Sequence, residues 1–401
     1  MATALTIPAP SAAYLHIPFC RRRCFYCDFP IAVAGDRVRG DTSPRMAAYV
    51  DTLCREIQAT PVLGDRPLET VFFGGGTPSL LGVDQVAQLL TVLEDRFGLK
   101  PGAEISMEMD PGSFDRPHLQ ALHRLGINRV SLGVQAFDDE LLAACGRSHR
   151  REDVDAAIAA LQTVGIANWS LDLISGLPHQ SLAIWAESLQ TAIAHHPAHI
   201  SVYDLTVEPD TVFAHRYRPG DAPLPTDEAT TAMYRLTQAT LTAAGYHHYE
   251  ISNYARPGYG CRHNRVYWEN RPYYGFGMGA TSYTQHQRFS RPRTTETYRQ
   301  WVEVYVAQGG QVDCEPTPLA ERWLDHLMVG LRLAEGVDLT ALAETHGAIA
   351  VADLQRLLEP EQRRGWVVVE AGAPPRLRLT DPEGFLFSNQ VLVKLFDRWG
   401  S

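Results

Sequence analysis

The sequence predicts an α/β protein: a partial (β/α)6, TIM-like barrel followed by a smaller C-terminal helical domain. Six short apolar, β-branched or aromatic runs alternate with helix-patterned stretches through the first half of the chain, the signature of a parallel sheet with crossover helices. Glycines and polar residues follow these runs, where parallel α/β folds place functional groups, at the carboxyl ends of strands. Beyond residue 301 the pattern changes to helices with two short strand-like pieces.

The six strand-like runs are residues 14–18, 70–73, 104–109, 129–134, 168–174 and 199–206, with helices expected at 46–60, 83–97, 116–125 and 152–164 among the connections. In the last of these, Val154, Ile158 and Leu161 form one apolar stripe and Gly165 stands where a left-handed C-terminal residue ends a helix. The runs lead in turn into a cysteine loop, Gly74-Gly75-Gly76-Thr77-Pro78, Glu108 with Asp110, Gln135, Asp172 and Thr206. Six such groups in register make a shared mouth, which is what a cofactor pocket requires.

Domains are expected at 1–225 (the partial barrel), 226–300 (an extension of it) and 301–401 (the helical domain), with the Pro/Asp/Gly-rich 219–225 as a linker and an amphipathic helix at 227–244. The last domain reads as helices at 319–333, 339–346 and 353–358, strands at 366–370 and 376–379, and a helix near 389–396. That order allows a winged-helix-like module, but nine basic against fifteen acidic residues in it speak against nucleic acid. The formal charge of -10 over 401 residues argues the same for the whole chain. No run of 18 apolar residues and no leader pattern precedes Tyr14, so no membrane span is expected and the protein is expected in the cytoplasm. In a reducing compartment its 7 cysteines are thiols or metal ligands rather than a disulfide framework.

Three of those cysteines, Cys20, Cys24 and Cys27, fall within eight residues. Such clustering asks for a metal, and spacing alone leaves two open. Three thiolates with His16 would close a tetrahedral zinc site, whereas three thiolates alone hold an iron-sulfur cluster with one iron free.

CxxxCxxC after a first strand and GGGTP after a second resemble the radical S-adenosylmethionine (SAM) superfamily, and within it the HemN/HemW group. The resemblance rests on HIPFC (16–20), FFGGGTPSLL (72–81), MEMDP (107–111), SLGVQAF (131–137), GRSH (146–149) and LDLISGLP (171–178). It runs from about Tyr14 to beyond Tyr283. It implies a [4Fe-4S] cluster on Cys20, Cys24 and Cys27, with SAM chelating the fourth iron through its amino and carboxylate groups. It also implies SAM contacts from Tyr14, Gly75, Gly76, Thr77, Glu108, Gln135, Arg147, Asp172 and Thr206. The chemistry suits the ligand: glycine allows close backbone approach, carboxylates pair with an ammonium or accept from ribose hydroxyls, and Arg147 faces a carboxylate.

The resemblance covers oxygen-independent coproporphyrinogen III oxidases and heme chaperones. In the oxidases a further cysteine stands two residues after the third, where this chain has Asp28-Phe29, and a long arm precedes the first strand, where thirteen residues precede Tyr14 here. Both departures count against oxidase activity. Cys261-Arg262-His263-Asn264-Arg265-Val266-Tyr267-Trp268 matches the HNxxYW motif of HemW-like proteins, which implies heme contacts from His263, Asn264, Tyr267 and Trp268. Imidazole is a heme-iron ligand and the aromatic rings could stack on a porphyrin. Partners implied are a heme-acceptor protein and an electron donor such as flavodoxin or ferredoxin, with homodimer formation open. The segment 275–280, GFGMGA, lacks a strand-loop-helix setting for a dinucleotide and is expected to be a tight turn closing near the SAM pocket.

Overall fold

The computed structural model describes residues 8–36 and 39–400. Strands β1 (Ala12–Ile17), β2 (Leu68–Gly75), β3 (Leu99–Met109), β4 (Arg129–Gln135), β5 (Asn168–Ser175) and β6 (His199–Asp204) follow in order, each paired in parallel with its predecessor. Leu15, Phe73, Met107, Leu132, Leu171 and Ile200 are buried in them, the near-continuous apolar filling of a sheet covered on both faces. Helices α1 (Pro44–Ala59), α2 (Val83–Phe97), α3 (Arg116–Arg124), α4 (Arg151–Val164) and α5 (Leu182–Ala194) make the crossovers. In α4 the expected stripe is buried, and Gly165 closes the helix at φ +86° with its N–H on the Leu161 carbonyl.

The expectation of six strands falls short, because the sheet has nine among the described residues. Strands β7 (His247–Glu250) and β8 (Asn253–Ala255) extend it beyond β6 in antiparallel fashion, and β9 (Tyr274–Phe276) pairs in parallel with the outer edge of β1. The order is β9-β1-β2-β3-β4-β5-β6-β8-β7. The 275–280 segment is therefore not simply a turn, since its first two residues end a strand. Gly275 is required there, as a Cβ would stand 2.0 Å from the Thr281 carbonyl oxygen. Between β8 and β9, after α6 (Asp227–Ala243), lies the short helix α7 (Arg262–Trp268).

Past β9, a hairpin of β10 (Thr281–Thr284) and β11 (Gln287–Ser290) leads to α8 (Thr295–Ala307). A buried ion pair ties this region to the barrel: Arg291 Nε donates to Glu56 Oε1 at 2.7 Å, and Tyr298 Oη and Gly277 N donate to Glu56 Oε2 at 2.6 and 2.9 Å. The last part contains α9 (Leu319–Gly330), α10 (Leu339–His346), α11 (Ala348–Leu357) and α12 (Ser388–Trp399). These helices enclose a second core with Trp323, Leu327, Leu354, Leu377 and Phe385. A three-stranded antiparallel sheet, ordered β12 (Val337–Asp338), β14 (Arg376–Leu379), β13 (Val367–Glu370), flanks them.

This unit meets the barrel along the β7 side. His248 Nδ1 lies 2.8 Å from Asp381 Oδ1, and Arg235 Nε donates to Glu383 Oε1 at 2.8 Å. The Ile251 N–H donates to the Arg332 carbonyl at 3.0 Å. Among the described residues no helix is long and apolar enough to cross a membrane.

Candidate functional site

At the carboxyl ends of β1 to β6 a cavity of about 360 Å³ opens, and all three clustered cysteines line it. Gly75, Gly76, Glu108, Gln135, Arg147, Asp172 and Thr206 line the same cavity. The structure thus brings together ten of the twelve residues assigned to cluster and SAM. The other two, Tyr14 and Thr77, are not in its wall. Tyr14 hydrogen-bonds His16 Nδ1 at 3.0 Å, and Thr77 Oγ1 donates to Asp110 Oδ2 at 3.0 Å.

Backbone conformation builds the mouth. Gly75 has φ +114°, and a Cβ there would stand 2.6 Å from the His16 ring, while one on Gly76 would stand 2.9 Å from Cys20 Sγ. Only glycine lets the cysteine loop lie against the end of β2. Gln135 ends β4 at φ +65°, where the β4-β5 register shifts between Gly133 and Gln135. Left-handed backbone at a side chain facing a cavity is strain of the kind functional sites hold.

Cys20, Cys24 and Cys27 are free thiols. Burial pushes the Cys20 thiol up to about 12, assisted by Asp110 and by the other two sulfurs, and burial raises Cys27 as well. Three thiolates at this spot need a bound cation to be ionised together. His16 does not complete a zinc site: Nδ1 meets Tyr14 Oη and Nε2 meets the Pro30 carbonyl at 3.0 Å. No three His, Cys, Asp or Glu side chains among the described residues converge on a single metal ion. The donors fit a group that spreads three thiolates around one cavity, as a cubane cluster does.

Asp110, which the sequence reading placed at the mouth without a role, organises the wall. It accepts from Arg147 Nη2 and Thr77 Oγ1, and Arg147 Nη1 reaches Cys24 Sγ at 3.3 Å while Nη2 also donates to the Gly133 carbonyl at 2.9 Å. His149 supports the guanidinium with Nδ1 at 3.3 Å from Nη2, its Nε2 being 3.2 Å from the Val134 carbonyl. Burial, then the Arg147 charge, lowers His149 to about 4, so its ring is neutral. The carboxylates opposite differ. Desolvation raises Glu108 to about 7, although the Gly75 N–H donates to it at 2.9 Å. Burial also raises Asp172, which accepts from Ser131 Oγ at 2.8 Å and Ser170 Oγ at 3.0 Å. A ligand carrying an ammonium would restore the charged form of such groups.

The four residues assigned to heme lie elsewhere. His263 of α7 meets Thr70 Oγ1 near the amino end of β2 at 2.8 Å, five residues or about 16 Å of strand from Gly75 at the mouth. Its other nitrogen meets Tyr267 Oη at 2.8 Å, its ring stacks on Phe72, and burial lowers its pKa to about 3. Both nitrogens are occupied and no face of the ring is free. Cys261 caps α7, accepting from the Asn264 N–H, and lies against Glu104 with its thiol pushed up to about 12 by burial. Trp268 reaches open space, edging a cavity of about 240 Å³.

Residues 14–192 match the radical SAM superfamily and residues 318–387 the HemN C-terminal domain. The chain is 49% identical to the heme chaperone HemW of Synechocystis over 96% of each chain. It is 35% identical to that of Bacillus subtilis, over 84% of this chain and 87% of the relative. Among solved structures, the radical SAM coproporphyrinogen III oxidase HemN of Escherichia coli superposes with a TM-score of 0.80 at 25% identity, covering 96% of this chain and 90% of that one. With a partial barrel whose cysteine loop, glycine turn and strand-end carboxylates share one cavity, and with relatives alike from end to end, the chain belongs to the HemW family of radical SAM proteins.

Proposed function

We propose that the protein is a heme chaperone: it holds a [4Fe-4S] cluster and exchangeable SAM at the barrel mouth, binds heme, and transfers it to an acceptor protein. The observation that carries this reading is the 49% identity, across nearly the whole chain, to a relative named as a heme chaperone. Asp28-Phe29 after the third cysteine supports it against the coproporphyrinogen oxidase alternative.

In this reading Cys20, Cys24 and Cys27 bind three irons, and no fourth cysteine lines the cavity to occupy the last. When bound, the cluster and SAM together supply one-electron cleavage of a sulfonium carbon–sulfur bond. Glu108 and Asp172 receive the ammonium and hydroxyl hydrogens of SAM, Arg147 holds its carboxylate, and Gln135 and Thr206 fix its orientation. Gly75 and Gly76 allow the close approach. Thr77 and Tyr14 act through Asp110 and His16 respectively. Tyr26 in the cavity wall and Phe25, packed near Phe213, limit water at the cluster. The setting is cytoplasmic, with flavodoxin or ferredoxin as the class of electron donor.

For the motif residues, His263 and Tyr267 fix α7, Asn264 lies in its first turn, and Trp268 is the member presented toward heme. Anaerobic reconstitution with iron counting, heme titration and heme transfer to an apo-acceptor tests the whole reading. Four irons, saturable heme binding and transfer are expected. SAM-dependent consumption of coproporphyrinogen III without heme transfer would replace it with the oxidase.

A further inference from the structure

A second cavity, of about 280 Å³, lies at the seam between the barrel edge and the C-terminal unit. It shares Tyr203, Asp204 and Thr206 with the wall of the mouth cavity. The two are therefore neighbours, and together they fall in the range of about 300–1,000 Å³ usual for sites that enclose a ligand larger than a metabolite. Its wall is mainly apolar, with Ile251, Leu331, Leu379, Phe385 and Leu392, and contains one cation, Arg332.

Arg332 is placed with care and left without an anionic partner. Its backbone carbonyl is pinned by the Ile251 N–H at 3.0 Å. Its guanidinium carbon sits 4.5 Å from the centre of the Trp268 ring, the last residue of the HNxxYW motif. Among the described residues the guanidinium forms no salt bridge within 4.0 Å, and its buried Nε has no hydrogen-bond partner. The nearby carboxylate of Glu250 is occupied instead by Asn253 and the Ser252 N–H. Gly330 allows the arrangement, because a Cβ there would stand 2.5 Å from Val337 Cγ1 and hold the end of α9 away from α7. An unpaired guanidinium facing an apolar cavity is costly unless a ligand anion meets it.

We infer that this interdomain cavity takes the heme macrocycle against its apolar wall, with a propionate on Arg332, and that the HNxxYW helix contributes by holding Arg332 through Trp268. The inference rests on the heme-chaperone reading and adds the location and the anion contact. It gives the motif a mechanical part: His263 and Tyr267 fix α7 to β2, and α7 fixes the arginine.

The test is a heme titration of the full chain, as wild type, Arg332→Gln, Arg332→Lys and Trp268→Ala, using heme and heme dimethyl ester, whose carboxylates are masked. Melting temperatures within a few degrees establish that the variants are folded. Arg332→Gln is expected to weaken heme binding by roughly tenfold to a hundredfold, the usual worth of a charged hydrogen bond, and to leave the ester unaffected. Wild type should bind the ester about as weakly as Arg332→Gln binds heme. Arg332→Lys should recover part of the loss, and Trp268→Ala should lose several-fold. Equal affinity of wild type for heme and ester, or wild-type heme affinity in Arg332→Gln, overturns the inference while leaving the chaperone reading intact. Absence of any heme binding by wild type overturns the chaperone reading and the inference together.

Discussion

Glu108 gives the sharpest quantitative handle on the mouth. Its carboxyl is raised from the ordinary 4.5 to about 7, chiefly by burial. Because the folded state holds this proton more tightly than the unfolded chain, ligand-free protein loses stability as pH rises from 4.5 through 7. Each pH unit in that window costs about 1.4 kcal/mol, so full ionisation costs about 3 kcal/mol. That is an upper value, since the carboxylate edges a cavity that solvent enters. Glu108→Gln keeps an acceptor for the Gly75 N–H and removes the titration. Denaturant unfolding of cluster-free wild type and variant from pH 5 to 8.5, read as the difference between them, should show the variant gaining on wild type and levelling off above pH 7. Saturating SAM should shrink the gap, because an ammonium beside Glu108 favours its charged form. A difference that stays flat across the range refutes the account of the site.

Three further outcomes are expected. Glu56→Ala leaves Arg291 buried without its partner and should cost about 3–5 kcal/mol in unfolding free energy, whereas loss below 1 kcal/mol would mean that water or another anion replaces the carboxylate. His16 and His149 are lowered to about 4 and His263 to about 3, all by burial first. The unfolded chain then takes up more protons, so stability present above pH 6.5 is lost as pH falls toward 4, and a melting temperature that holds constant from pH 6.5 to 5 would contradict their neutrality. Gly75→Ala forces a Cβ to 2.6 Å from the His16 ring in left-handed backbone, and should lower iron content after reconstitution several-fold. Full iron in that variant would show that the cysteine loop has room to shift.

The long-range features of the barrel were legible where they rest on dense local signals. Each of the six parallel strands is an apolar run of the kind that burial on both faces demands, and the cysteine triplet needs nothing beyond its spacing. The edges were not legible. Strand β9 has three residues, as does β8, too short for alternation to register, and each exists because a neighbouring edge supplies its hydrogen bonds. Asp110 was visible in the motif but its function was not, since the Arg147 and Thr77 that it joins are 37 and 33 residues away in sequence. His263 shows the converse: the motif drew attention to an imidazole, and only packing reveals that Thr70 and Tyr267 already occupy it. Arg332 sits in an unremarkable leucine-rich helix end, with nothing local to distinguish it from a surface arginine.

The strand at Tyr274–Phe276 seals the flank of the strand that delivers the first cysteine. A ribosome has therefore made some two thirds of the polypeptide before the platform beneath the metal site has both neighbours. Nascent intermediates released earlier would present that flank bare, with three thiols in the adjoining loop exposed to oxidation. Iron delivery is best timed late in synthesis or after it, and shortened forms ending near residue 206 should be poor recipients of iron even though they carry every cysteine that binds it.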